Sequence, residues 1–164
     1  MIIDERILDD LTERAKESPR LRMNLDLRNS PDDLSQRMLN ALEPGTVMPI
    51  HRHHASSETV VILRGKIRWI FYDDQGRITE STELRSDGDI RMMNVEKDRW
   101  HSLECLESGS VLYESKDGPY PSTGRGRDNG EVNYGKYEEQ KDHSFGKKEF
   151  GLFASISLSS KVDR

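Results

Sequence analysis

The chain has 164 residues, a formal net charge of -5, 34% charged and 33% hydrophobic residues, and a mean hydropathy of -0.83. That length and polarity fit one ordinary domain with part of the chain outside its core. The mildly acidic, interspersed charge offers no footprint for nucleic acid, and no stretch nears the ~18 apolar residues of a membrane span.

Asp4 to Ser18 has helical periodicity, with Ile7, Leu8 and Leu11 on one stripe and Ala15 continuing it. Ser18-Pro19 stops the helix, because a residue before proline is pushed out of the α region. The opening Met1 to Arg6 carries acids where a signal peptide carries bases, so a soluble, cytoplasmic protein is expected. Leu21 to Leu27 alternates apolar and polar residues, the signature of a strand with one buried face. Ser30-Pro31-Asp32-Asp33 is turn chemistry.

Short alternating runs then recur over Arg37–Glu43, Val47–His53, Glu58–Leu63, Lys66–Tyr72, Ile78–Leu84, Ile90–Val95, His101–Leu106 and Val111–Ser115. Gly and Asp turn signals separate them at Pro44-Gly45, Arg64-Gly65, Asp73 to Gly76 and Ser86 to Asp89. Such spacing predicts an all-β sandwich or barrel and leaves no room for crossover helices. One cysteine, Cys105, excludes an internal disulfide, and its alternating surroundings predict a buried strand thiol. Beyond residue 117 the chain turns polar and poor in aliphatics, which is loop or disordered composition. Phe150 to Leu158 alone regains apolar character. Gly124-Arg125-Gly126 lacks the flanking strand and helix of a phosphate-cradling loop, and no Ser/His/Asp order suggests a nucleophilic triad.

One constellation carries chemistry. Alternation on a strand projects His51 and His53 to one face and Arg52 to the other, and the short Ala55-Ser56-Ser57 link can return Glu58 beside them. Imidazoles with a carboxylate suit a borderline divalent ion, and His101 can supply a fourth ligand. Spacing alone leaves the site open, and an ordinary pair of strand histidines is the commoner outcome of such a pattern. His54 is expected to be exposed or to sit behind the ligands, and His143 to be a surface residue of the tail.

Gly45, His51, His53, Glu58 and Gly65 together resemble the first cupin motif, G-x5-H-x-H-x3,4-E-x6-G, at every specified position. The second motif is matched in part. Gly88 fits, Asn94 and Glu96 replace its proline and glycine, and His101 arrives two residues late without the closing asparagine. Ser18 to Asn24, Gln36 to Leu42 and Glu114 to Tyr120 extend the resemblance to the WbuC-type cupin-fold metalloproteins, some of which are linked to surface-polysaccharide gene clusters.

The resemblance implies a small antiparallel jelly-roll barrel over residues 21–120. An N-terminal helix (1–20) would pack on it, and a polar, partly disordered tail (121–164) would follow. It also implies one divalent transition metal (Zn, Fe, Mn, Ni or Cu) held by His51, His53, Glu58 and His101 in the barrel mouth. Arg20, Arg22, Asn24, Arg37, Lys116 and Tyr120 are candidates for gripping a small-molecule ligand, since arginine forks onto carboxylate and phosphate. Trp69, Phe71 and Trp100 are expected in the core or the pocket wall. Cupins often pair through edge strands, so a homodimer is one arrangement the resemblance allows. The function implied is a metalloenzyme acting on a small polar metabolite, such as a sugar derivative. The alternatives are an iron-dependent dioxygenase and a non-catalytic, metal-dependent sugar-binding module.

Overall fold

The computed structural model describes residues 1–118 and the short strand Val132–Asn133. It begins with helix α1 (Glu5–Glu17), capped by Asp4, whose side chain accepts from the Ile7 N–H. Nine strands follow: β1 (Arg22–Asp26), β2 (Ser35–Leu42), β3 (Ile50–His51), β4 (Glu58–Arg64), β5 (Lys66–Tyr72), β6 (Ile78–Arg85), β7 (Met92–Val95), β8 (His101–Cys105) and β9 (Ser110–Asp117). A tenth, β10 (Val132–Asn133), lies in the stretch that composition marks as loop, and its backbone pairs with β3. No helix among the described residues is long and apolar enough to cross a membrane.

The strands form two five-stranded antiparallel sheets, β1-β2-β9-β4-β7 and β10-β3-β8-β5-β6. They face each other as a jelly roll without closing into a continuous barrel. Alternation sends Leu42, Val60, Ile62, Val95 and Leu112 inward from the first sheet, and Ile67, Trp69, Phe71, Leu103 and Cys105 inward from the second. The Cys105 thiol is buried there, as its alternating context predicts, and burial raises its pKa.

α1 lies on the outer face of the first sheet. Leu8, Leu11 and Ala15 pack against Leu39, Ala41 and Val111, with Met23, Leu25 and Tyr113 at the margin. Strand β2 is therefore buried on both faces. Arg64 fastens the helix from β4 by pairing with Asp9 at 2.8 Å and with Glu5.

Two loops set the position of the site. The turn from β4 to β5 passes through Gly65 at φ 75°, where an added Cβ would meet Ser110 Oγ at 2.4 Å and Ser110 Cα at 2.9 Å. Only glycine fits that approach. Ahead of β8, Asp98 turns at φ 65°, and its N–H donates to the carbonyl of His53 over 2.8 Å. The segment preceding His101 is thus tied to the segment carrying the first two histidines.

Candidate metal centre

Four side chains from separate elements converge at one end of the space between the sheets. His51 ends β3, His53 lies two residues beyond it, Glu58 opens β4 and His101 opens β8. One donor atom from each lies within 4.8 Å of the others. The expected strand over Val47–His53 is shorter in the structure, with only Ile50–His51 paired. His53 nonetheless reaches the same point, its ring 5.0 Å from that of His51 and 5.5 Å from that of His101.

Backbone carbonyls orient two of the rings. His51 Nδ1 lies 2.9 Å from the Pro49 carbonyl oxygen, and His101 Nδ1 lies 2.8 Å from that of Arg99. A carbonyl only accepts, so each Nδ1 carries a proton and each Nε2 is turned toward the centre. Trp69 stacks on His101 at 5.3 Å and 21°, which fixes the ring plane.

Whether these residues fit a cation turns on His101 Nε2. It is buried 2.9 Å from Glu58 Oε1, yet it has no aligned hydrogen-bond partner among the described residues. Glu58 Oε2 lies 3.3 Å from His53 Nε2. Lone pairs this close repel unless a proton or a cation stands between them. A proton relieves one such pair, whereas four donors converging on one point are relieved together by a single ion. The donor set fits a divalent metal.

The electrostatics agree with that reading. Burial, with the neighbouring His101 adding to it, lowers His51 to about 4, so its ring stays neutral and able to ligate at ordinary pH. Burial opposes the charge on Glu58, but His101 and His53 outweigh it and hold the carboxyl well below its usual range. Glu114 is pushed up to about 8 by burial and then by the charge of Glu58.

The remaining residues singled out from sequence are scattered. Lys116 lies nearest, its Nζ 3.3 Å from His53 Nε2 and 4.0 Å from Glu114 Oε1. Arg22 is half-buried and donates to the Val47 carbonyl over 2.8 Å, bracing the loop that leads into β3. Asn24 is exposed on β1, opposite Asn40. Arg20 is exposed after the helix. Arg37 shares the helix side of β2 with Leu39 and pairs with Asp33 at 2.8 Å, away from the centre. Tyr120 and His143 lie outside the described residues. His54 is exposed, with Nδ1 2.5 Å from Asp98 Oδ1. Arg52 points to the opposite face, over Trp100.

Sequence reasoning passed over Gln36, Asn40 and Glu114. All three stand on the inner face of the first sheet, and Asn40 donates to Glu114 over 3.1 Å. Their signal was a polar residue at alternate positions of strands whose other face is apolar.

The family model described as a domain of unknown function, DUF6016, matches residues 3–84, which take in His51, His53 and Glu58. The chain belongs to this family. No curated protein matches it. Among solved structures, this chain is similar to CapF with the inhibitor 3-isopropenyl-tropolone, at 20% identity and a TM-score of 0.50. That match covers 60% of this chain and 28% of CapF. An oxalate oxidase in complex with the substrate analogue glycolate matches at 13% identity and a TM-score of 0.51, covering 65% of this chain and 55% of the oxidase. The chain thus spans only part of either relative. Likeness at these identities carries the fold alone, and the fold is that of the cupins.

Proposed function

We propose that the protein is a metal-dependent cupin in which His51, His53, Glu58 and His101 bind one divalent transition ion. In this reading it is a metalloenzyme acting on a small polar metabolite. The observation that carries the proposal is the orphaned Nε2 of His101, held 2.9 Å from Glu58 Oε1 and out of line for a hydrogen bond. When bound, a divalent ion with protein ligands and an open position supplies Lewis acidity and lowers the pKa of bound water. The residues of the chain itself supply orientation. The Pro49 and Arg99 carbonyls set the tautomers of His51 and His101, Trp69 fixes the plane of His101, and Lys116 brings a positive charge beside His53.

The finer reading is a WbuC-type cupin acting on a sugar derivative in surface-polysaccharide biosynthesis. Its support is the run of matching residues at Ser18 to Asn24 and Gln36 to Leu42, together with polar inner-face groups able to meet hydroxyls.

Elemental analysis of purified, tag-free protein tests the metal reading. Near one equivalent of a transition metal is expected, lost in both His51→Ala and His101→Ala. A folded protein that stays empty on titration with Zn, Mn, Fe, Ni and Cu would sink the proposal. Loss in His51→Ala alone would remove His101 from the ligand set. With the metal known, turnover across a panel of sugar phosphates and nucleotide sugars tests the substrate class.

A further inference from the structure

His51, His53 and His101 converge on the centre, and the side chains that alternate with them turn away from it. Those outward side chains grip one another across the two segments. Arg52 lies over the Trp100 ring at 4.4 Å. His54 meets Asp98, Nδ1 to Oδ1, over 2.5 Å. A carboxylate only accepts, so the imidazole donates. Asp98 takes hold of the same segment a second time, through the N–H it gives to the His53 carbonyl over 2.8 Å.

His53 stands where such a hold matters. Strands β3 and β8 pair at His51 and His101, and β3 ends there, so the ladder that seats those two rings stops short of His53. A ring two residues past the end of a strand takes its position from the loop that carries it. Asp98 binds that loop at the backbone of His53 and at the side chain of the next residue. Three residues further along its own segment comes His101, the first residue of β8. One residue thus links two donors that arrive from different elements.

The backbone accounts for the residue type. Asp98 sits at φ 65°, a region that β-branched side chains avoid and that glycine, asparagine and aspartate reach at least cost. In that conformation its N–H meets the His53 carbonyl while the chain runs on into β8. Lys97 to Trp100 separate Glu96 from His101, a longer step than the second cupin motif has at this point. The added length is the turn that Asp98 makes.

We propose that Asp98 is a positioning residue of the metal centre: its bonds to His53 and His54 fix where the His53 ring stands relative to His101, and with it the affinity for the ion and the arrangement of its ligands. The inference rests on the metal-centre reading and adds no donor to the set.

Cobalt(II) bound to the full chain is the probe. Its visible absorption reports the arrangement of the ligands, and competition with a chelator reads its affinity. Asp98→Gly keeps the turn and the N–H and loses the contact with His54. That contact is exposed, at 39% for His54 and 52% for Asp98, so affinity should fall only about threefold to fivefold, with a changed absorption band. Asp98→Asn tolerates the turn and keeps an oxygen for His54, so it should return both readouts to those of the parent. Asp98→Val opposes the positive φ and swings the N–H away from His53, and affinity should fall by about 10–100-fold. A merely structural role would lower the melting temperature and leave the cobalt spectrum of the folded variants unchanged. Asp98→Gly with the parent's affinity and absorption overturns the proposal, whether or not Asp98→Val folds. So does Asp98→Asn falling as far as Asp98→Gly. A parent that takes up no transition ion sinks the metal reading instead. The nitrogen-15 signals of the histidine rings in the metal-free parent and Asp98→Gly then decide the positioning role by themselves. A shifted His53 signal keeps it, and an unchanged one ends it.

Discussion

His51 and His101 stand in register across β3 and β8, their ring centroids 4.3 Å apart, each Nδ1 turned to a carbonyl two residues earlier in the chain. The same local device, repeated on neighbouring strands, aims two Nε2 atoms at one point. Glu58 and His53 arrive from either side of the loop joining β3 to β4, so the centre is built where three strands begin or end. Strand interiors supply rigidity and strand ends leave room for a ligand.

The crowding of these groups sets the acid stability of the metal-free protein. His51 titrates at about 4 in the fold against 6.5 when unconstrained, chiefly because burial disfavours its charge. The unfolded chain therefore binds a proton that the native chain refuses, and stability falls as pH drops from 6.5 toward 4. Glu58, held below the ordinary glutamate value of 4.5, contributes stability above that pH and loses it as pH falls further, so the two effects share a sign. Thermal melts in chelator should show the melting temperature falling between pH 7 and 4. His51→Asn should flatten the upper part of that slope, and an unchanged slope would contradict the assigned cause.

Gly65→Ala should cost about 2–4 kcal/mol of stability. Its Cβ would sit 2.9 Å from backbone in β9, at a φ that side chains avoid. Urea denaturation should show a lower midpoint with an unchanged slope, because the turn is strained while the folded core remains the same. A wild-type midpoint would mean that β9 can retreat from the turn.

Much of this architecture was legible in the chain. Lys66–Tyr72 matches β5 to the residue, because Ile67, Trp69 and Phe71 alternate into the core, and Ile78–Leu84 falls one residue short of β6, an outer strand of which only Leu84 is buried. Val47–His53 looked like a strand and mostly is not one. Pro49 has no N–H for a ladder, and Arg22 takes the Val47 carbonyl. The five motif positions named three of the four converging side chains, and the Trp100-His101 context named the fourth despite its shifted spacing. The polar lining was hidden for a different reason. Strand β2 carries apolar residues on both faces, because α1 covers one and the second sheet the other. Periodicity therefore could not tell which side Gln36 and Asn40 occupy. Nor could it find β10, whose two residues are too few to show a period.

Leu11→Ala tests the separation of helix packing from the centre. Leu11 is 1% exposed in the cluster beneath α1, on the face of the first sheet opposite the ligands. Its truncation should cost about 2–5 kcal/mol and leave the metal stoichiometry of the folded protein unchanged. Loss of metal at a temperature where the variant is folded would show that the helix and the centre are coupled through β2 and β9.

Glu58 and Glu114 offer the sharpest contrast, because both are inner-face carboxylates of the first sheet and only one converges with the histidines. Glu58→Gln removes the charged oxygens that lie 2.9 Å and 3.3 Å from His101 and His53. An amide is a weaker ligand and brings an N–H toward lone pairs, so metal affinity should fall by more than about 100-fold. Glu114→Gln keeps a polar group of the same shape, and its remaining oxygen can still accept from Asn40. Pushed up to about 8, that carboxyl is largely protonated at neutral pH, so the change takes away little charge and no ligand. Its effect should stay within the roughly tenfold range of a residue that acts behind the ligands. Competition against a chromophoric chelator at fixed pH reads both constants. Equal losses in the two variants would make Glu114 a ligand in its own right and place the ion deeper between the sheets than the four converging donors do.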